Sequence, residues 1–176
     1  MDAFLADVEQ RAYRIARVAL SDHDEALDVV QDTMIRLVQK YQHRPANEWR
    51  TLFFSILHNR ITDSHRKNTR RSRLFGWFGR ATDNDDDSDP LERVSHHVGL
   101  QPEQQLAHSE ALTEVDTVLA MLSIRQQQAF WMRMVEGLDT KTTAQVMGCS
   151  IGSVKTHLSR ALAVLKEQLE DHYESI

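Results

Sequence analysis

Six polar side chains within twenty residues have the types and spacing of a groove-reading surface. They are Ser153, Lys155, Thr156, His157, Ser159 and Arg160, within MGCSIGSVKTHLSRALAVLK, Met147 to Lys166. On a helix, Ile151, Val154, Leu158, Ala161 or Leu162, and Leu165 recur near the helical period and define a side to bury. The polar residues lie on the other side, with Lys155 on a flank. Short hydroxyl side chains let a helix approach a major groove, and lysine or arginine neutralises phosphates or reads guanine edges. The free amides at the helix start can also meet a phosphate. No aspartate or glutamate occurs in the stretch, although the chain carries a net charge of -5. A carboxylate there would repel a nucleic-acid backbone.

A second basic cluster lies upstream. Arg60, Arg66, Lys67, Arg70, Arg71, Arg73 and Arg80 share the segment 60–80 with a single acid, Asp63. The next stretch, TDNDDDSDPLE, reverses the sign. Such a split suits a local anionic partner, with the acidic tract kept away from it or folded over it; a solvated charge run is the alternative. A third set, Asp28, Gln31 and Asp32, lies off the centre of an apolar helical stripe and offers carboxylates and an amide to a basic partner.

These residues need helices to position them, and the pattern supplies helices throughout. FLADVEQRAYRIARVAL places Phe4, Leu5, Val8, Ala12, Ile15, Ala16 and Ala19 three and four apart. Ser21 or Asp22 caps a second helix with Leu27, Val30, Met34, Leu37 and Val38 as its stripe. Pro45 breaks the chain before a third helix built on Trp49, Leu52, Phe53, Ile56, Leu57 and Ile61. Residues 74–102 read as an acidic, partly disordered, flexible linker containing the apolar cluster Leu74, Phe75, Trp77 and Phe78. Helix resumes near Glu103 through Val115, Val118, Leu119 and Leu122. Ser123 is a possible cap for the next helix, with Ile124, Ala129, Phe130, Met132, Met134 and Val135 as its apolar material, and Gly137 is its stop. Asp139 or Thr140 starts a short helix, Gly148 makes a sharp turn, and Ser150 caps the basic helix. Short helix, glycine turn and longer basic helix form a helix-turn-helix pattern. The expected fold is all-α: two small helical domains on a linker, the C-terminal one a helix-turn-helix.

Several function classes lack support. Cys149 is the one cysteine, so no internal disulfide forms and a reducing, cytoplasmic setting is expected. Apolar runs are short and interrupted by charge, so no membrane insertion is expected. His23 lies between Asp22 and Asp24, and His96 beside His97, but no H-E-x-x-H or paired-cysteine motif accompanies them. No phosphate loop or serine elbow occurs. No catalytic, cofactor or metal site is expected.

The whole chain resembles the sigma-70 factors of bacterial RNA polymerase, in the compact extracytoplasmic-function class. The resemblance rests on AYRIARVALSDHDEALDVVQDTMIRLVQKY, WRTLFFSILHNRITDSHRKNTRR and LSIRQQQAFWMRMVEGLDTKTTAQVMGCSIGSVKTHLSRALAVLK. It implies a region 2 domain over 1–73, a linker over 74–102 and a region 4 domain over 103–176. Asp28, Gln31 and Asp32 would meet core RNA polymerase. Asn59, Arg60, Asp63, Arg66, Lys67, Arg70 and Arg71 would serve the promoter -10 element, melting it and capturing the non-template strand. Ser153, Lys155, Thr156, His157, Ser159 and Arg160 would read the -35 element of double-stranded DNA. An anti-sigma factor is the further partner implied. His58 stands where the family commonly has arginine and Leu52 where it has tryptophan. Lys141 and Thr142 replace glutamates, His157 a basic residue and Leu162 a frequent arginine. The competing reading is a helix-turn-helix regulator that acts without polymerase.

Overall fold

The computed structural model describes residues 1–75 and 108–173, with side chains over 1–69 and 113–170. The linker, the acidic tract and the Leu74 to Phe78 cluster expected above lie outside the described side chains. So do the side chains of Arg70, Arg71 and Arg73.

Three helices form the first half: α1 (Asp2–Leu20), α2 (His23–Tyr41) and α3 (Ala46–Phe75). Ser21 adopts a left-handed conformation, φ 59°, and its N–H donates to the Arg17 carbonyl, which ends α1. Asp22 then caps α2 by accepting from the Glu25 N–H at 2.8 Å. Of the two residues expected as the cap, Ser21 therefore closes one helix and Asp22 opens the next. Tyr13 and His23 brace this corner through a 2.7 Å hydrogen bond.

Val8, Ala12, Ile15 and Ala16 from α1, Val30 and Leu37 from α2, and Phe53, Phe54, Leu57 and Ile61 from α3 close the core. Phe4 packs against Trp49 and edge-on to Phe53, which is itself edge-on to Phe54. Phe53 is fully buried, so truncation to alanine would cost about 3–5 kcal/mol. The α2 stripe is rotated from the expected one. Ala26, Val29 and Thr33 are buried while Leu27 is 37% exposed. Thr33 tolerates burial because its hydroxyl donates to the Val29 carbonyl at 2.7 Å.

The second half contains α4 (His108–Met121), α5 (Ile124–Phe130), a π-helical turn (Trp131–Val135), α6 (Thr140–Met147) and α7 (Ile151–Tyr173). Ser123 opens α5 with a capping box: its hydroxyl accepts from Gln126 N–H, and the Gln126 side chain accepts from Ser123 N–H. Within the π turn Met134 and Val135 point outward and are exposed, although their apolar character suggested burial. Gly137 at φ 67° turns the chain towards α6.

The two halves share one continuous apolar core. Val118, Leu119, Leu122 and Trp131 pack in the same cluster as Ile15, Phe53 and Ile61. Polar contacts reinforce this seam. Arg14 Nε lies 2.9 Å from both Asp116 oxygens, and its guanidinium sits 5.8 Å from the Trp131 ring centroid. Gln128 donates to the Thr62 hydroxyl at 2.9 Å.

Candidate nucleic-acid interface

The helix-turn-helix is set by its caps. Asp139 opens α6 by accepting from the Thr142 N–H at 2.9 Å and the Thr142 hydroxyl at 2.7 Å. The Thr142 hydroxyl, followed by its N–H, holds the Asp139 carboxyl below its usual range. Gly148 stands at φ 61°, ψ 38°, and Cys149 N–H closes back on the Ala144 carbonyl at 3.1 Å. Arg125, from α5, donates to the Met147 carbonyl at 2.6 Å and ties the turn to the helix behind it. Ser150 accepts from Ser153 N–H at 3.0 Å, the N-cap expected for α7.

Val154 and Ala161 on α7 are fully buried and Leu165 nearly so, with Ala129, Met132, Ala144 and Met147 in the same small core as Val154. Ile151, expected on that side, is instead 47% exposed; of the alternatives Ala161 and Leu162 it is Ala161 that is buried, and Leu162 is 39% exposed. Ile151 and Leu162 border the polar face rather than the core. On that face Lys155, Thr156, Ser159 and Arg160 are exposed, and Ser153 and His157 are half-buried. The Ser153 hydroxyl lies 2.9 Å from that of Ser150, and Thr156 donates to the Gly152 carbonyl. Ser153 and Thr156 are thereby held against the helix, while Lys155 and Arg160 are the exposed cations of the face. Among the described residues from Ser150 to Lys166 no acid interrupts it.

The second surface lies on α3. Asn59, Asp63, Arg66 and Lys67 are exposed and fall at i, i+4, i+7 and i+8, one helical face. Arg60 sits on the flank turned to α2, where it pairs with Asp32 at 3.0 Å. Two residues expected to serve different partners, DNA and polymerase, are thus joined to each other. Close by, the Glu25 carboxylate accepts from the Ser64 hydroxyl and from Asn68 Nδ2 at 2.9 Å. Asp28, Gln31 and Asp32 are all exposed on the outer side of α2, next to Ile35, which is 53% exposed. An apolar side chain among acids and amides gives this patch a desolvatable centre.

His58 was noted in the sequence as a departure within the -10 segment. The structure turns it inward: it is 3% exposed and faces α5, away from Asn59 and Asp63. The seam residues Arg14, Asp116 and Glu136 were not singled out in the sequence. Their partners are distant along the chain, and no local spacing signals them.

Comparison with known proteins assigns both halves. Residues 4–71 match the family model for sigma-70 region 2, and residues 112–165 match the model for sigma-70 region 4. The ECF RNA polymerase sigma factor SigD of Mycobacterium tuberculosis is 27% identical over 160 residues, 90% of this chain and 68% of that protein. The ECF RNA polymerase sigma factor SigX of Bacillus subtilis is 25% identical over 163 residues, covering 92% and 79%. Among solved structures, the sigma factor RpoE in complex with the anti-sigma factor NepR from Bartonella quintana superposes with a TM-score of 0.72. It is 27% identical, and 96% of each chain is covered. This chain belongs to the sigma-70 family of RNA polymerase sigma factors, in its extracytoplasmic-function group.

Proposed function

We propose that this chain binds core RNA polymerase and directs it to promoters, acting as a regulator of initiation and not as an enzyme. The observation that carries this reading is the pair of exposed, polar and cationic helix faces, one in each half of the chain. Residues 1–73 act as the polymerase and -10 unit and residues 103–176 as the -35 unit, with 74–102 between them. Asp28, Gln31 and Asp32 meet basic groups of polymerase around Ile35. The face of Ser153, Lys155, Thr156, His157, Ser159 and Arg160 enters the -35 major groove. Asn59, Arg60, Asp63, Arg66, Lys67, Arg70 and Arg71 hold the backbone and unstacked bases of the melted -10 strand.

The named neighbour RpoE was solved with an anti-sigma factor. We extend that to this chain as a second partner, one that would withhold it from polymerase. No helix among the described residues is long and apolar enough to cross a membrane.

Reconstitution tests the central reading. Purified chain and core polymerase should co-elute and initiate at discrete start sites on a genomic fragment library. Absence of both the complex and specific transcripts would defeat it.

A further inference from the structure

The seam between the halves encloses a histidine under unusual conditions. His58 on α3 is walled by Ile15 and Ala19 of α1 and Ile61 of its own helix. From the other half, Ile124, Gln128 and Trp131 close over it. Neither ring nitrogen has a hydrogen-bond partner, and Gln128 Oε1 and Trp131 Nε1 nearby are also unpartnered. The gap among them is too small to hold a water molecule. A neutral imidazole fits this pocket, whereas a protonated one would be a charge with neither water nor a carboxylate to balance it. Burial accordingly pushes the His58 pKa down to about 3.

The charges on the surrounding elements do not offset this. Arg11, Arg14 and Arg17 lie on α1, Arg50 and Arg60 on α3, Asp116 on α4, Arg125 on α5, and Arg133 and Glu136 at the π turn. Among the other acids on these elements, Asp7, Glu9 and Asp63 are exposed to solvent, as is much of the Glu48 side chain, and the two that packing draws into the seam, Asp116 and Glu136, are already taken. Asp116 is held by Arg14. Glu136, whose carboxylate is fully buried, is held by Arg50 at 3.0 Å and approached by Arg11 at 3.9 Å.

Reach sets a second condition, which rests on the promoter reading above. Elements centred near -35 and -10 are roughly 85 Å apart along straight B-form DNA at 3.4 Å per base pair. A compact chain of this length has a radius of gyration of only about 16 Å. Residues 76–107 connect the halves and, fully extended, could span roughly 100 Å at 3.3–3.6 Å per residue. One packed body therefore cannot serve both elements, and separation of the halves can.

We propose that the two halves close on each other in the free protein, and that the seam around His58 is an acid-sensitive latch which opens before both DNA surfaces engage one promoter. Opening gives His58 water and its ordinary affinity for a proton. Between pH 7.5 and 5.5 the ratio of closed to open protein falls about tenfold. Asp116 and Glu136 act in the opposite sense. Burial raises both carboxyls, so the closed form gains from their protonation, at the acid end of this range.

The test uses the full chain without polymerase or DNA, so its failure is separable from failure of the promoter reading. At pH 7.5, X-ray scattering should show a compact particle, and the His58 ring protons should not titrate near 6.5 in NMR. Arg14→Asp should expand the particle, keep its helical circular dichroism and restore titration near 6.5. The charge swap Arg14→Asp with Asp116→Arg should close it again, which keeps the test decisive if the single change loses helix. In the weakened Arg14→Ala background the radius of gyration should rise from pH 7.5 to 5.5, and adding His58→Leu should remove that rise. An extended wild-type particle at pH 7.5 would overturn the latch. So would a wild-type His58 that titrates near 6.5, or a pH response absent in Arg14→Ala or retained with His58→Leu.

Discussion

Arg160 and Lys155 show how much depends on what a single cation touches. Both are exposed on the polar face of α7, and neither is needed for the core beneath Val154 and Ala161. If Arg160 reads a base edge with two hydrogen bonds, Arg160→Ala should cost about 1–3 kcal/mol on the matching -35 sequence and little elsewhere. A phosphate contact by Lys155 gives a different signature: Lys155→Ala should weaken binding to all sequences and flatten the salt dependence by about one counterion. Binding isotherms of the holoenzyme at several salt concentrations separate the two. Unchanged promoter use in both variants would remove the assignment. The Asp32–Arg60 pair belongs to the same scale. Asp32 is 58% exposed, so the pair contributes at most about 1 kcal/mol to stability. Asp32→Ala should therefore leave urea unfolding nearly unchanged while reducing affinity for core polymerase. A large loss of stability with intact polymerase binding would make Asp32 a structural residue.

At the scale of the element, the helix-turn-helix depends on two inexpensive residues. Ser150 holds the first turn of α7 through the Ser153 N–H. Ser150→Ala should lower stability by about 1 kcal/mol. Gly148 meets no neighbouring atom within 4 Å where a Cβ would stand, so space is not its constraint. Its φ of 61° is, and Gly148→Ala should cost about 1–2 kcal/mol through that conformation alone. Thermal unfolding by circular dichroism measures both. Each change should weaken -35 binding by tilting α7, although neither residue lies on its cationic face.

For the whole molecule, the seam makes stability depend on pH. His58 is neutral in the fold and ordinary when unfolded, so its contribution is complete above pH 6.5 and declines as pH falls towards about 3. The loss is about 1.4 kcal/mol for each pH unit well below 6.5. Asp116 and Glu136 carry the reverse sign, favouring the fold as pH drops through the carboxylate range and losing that contribution as pH rises. Urea unfolding at pH 7.5 and 5.5 should therefore show a loss of about 1 kcal/mol in the wild type that shrinks in His58→Leu. Equal losses in the two proteins would place the titrating group elsewhere.

Helix positions, caps and the helix-turn-helix could be read in the sequence because each depends on residues within a turn or two of one another. Ser123, Asp139, Gly148 and Ser150 have the roles their types imply, and the polar face of α7 follows from its period. The family resemblance was legible for the same reason, in short contiguous motifs. The rotation of the α2 stripe onto Thr33, the exposure of Ile151, the choice of Ala161 over Leu162 for the core, and the inward turn of His58 were not. Each depends on which neighbouring helix covers a given side, and period alone leaves that choice open by a fraction of a turn. Least legible was the seam. Arg14 meets Asp116 across 102 positions and Arg50 meets Glu136 across 86. Local propensity determined the helices and their chemistry; packing of distant surfaces decided which charges pair and which histidine loses its water.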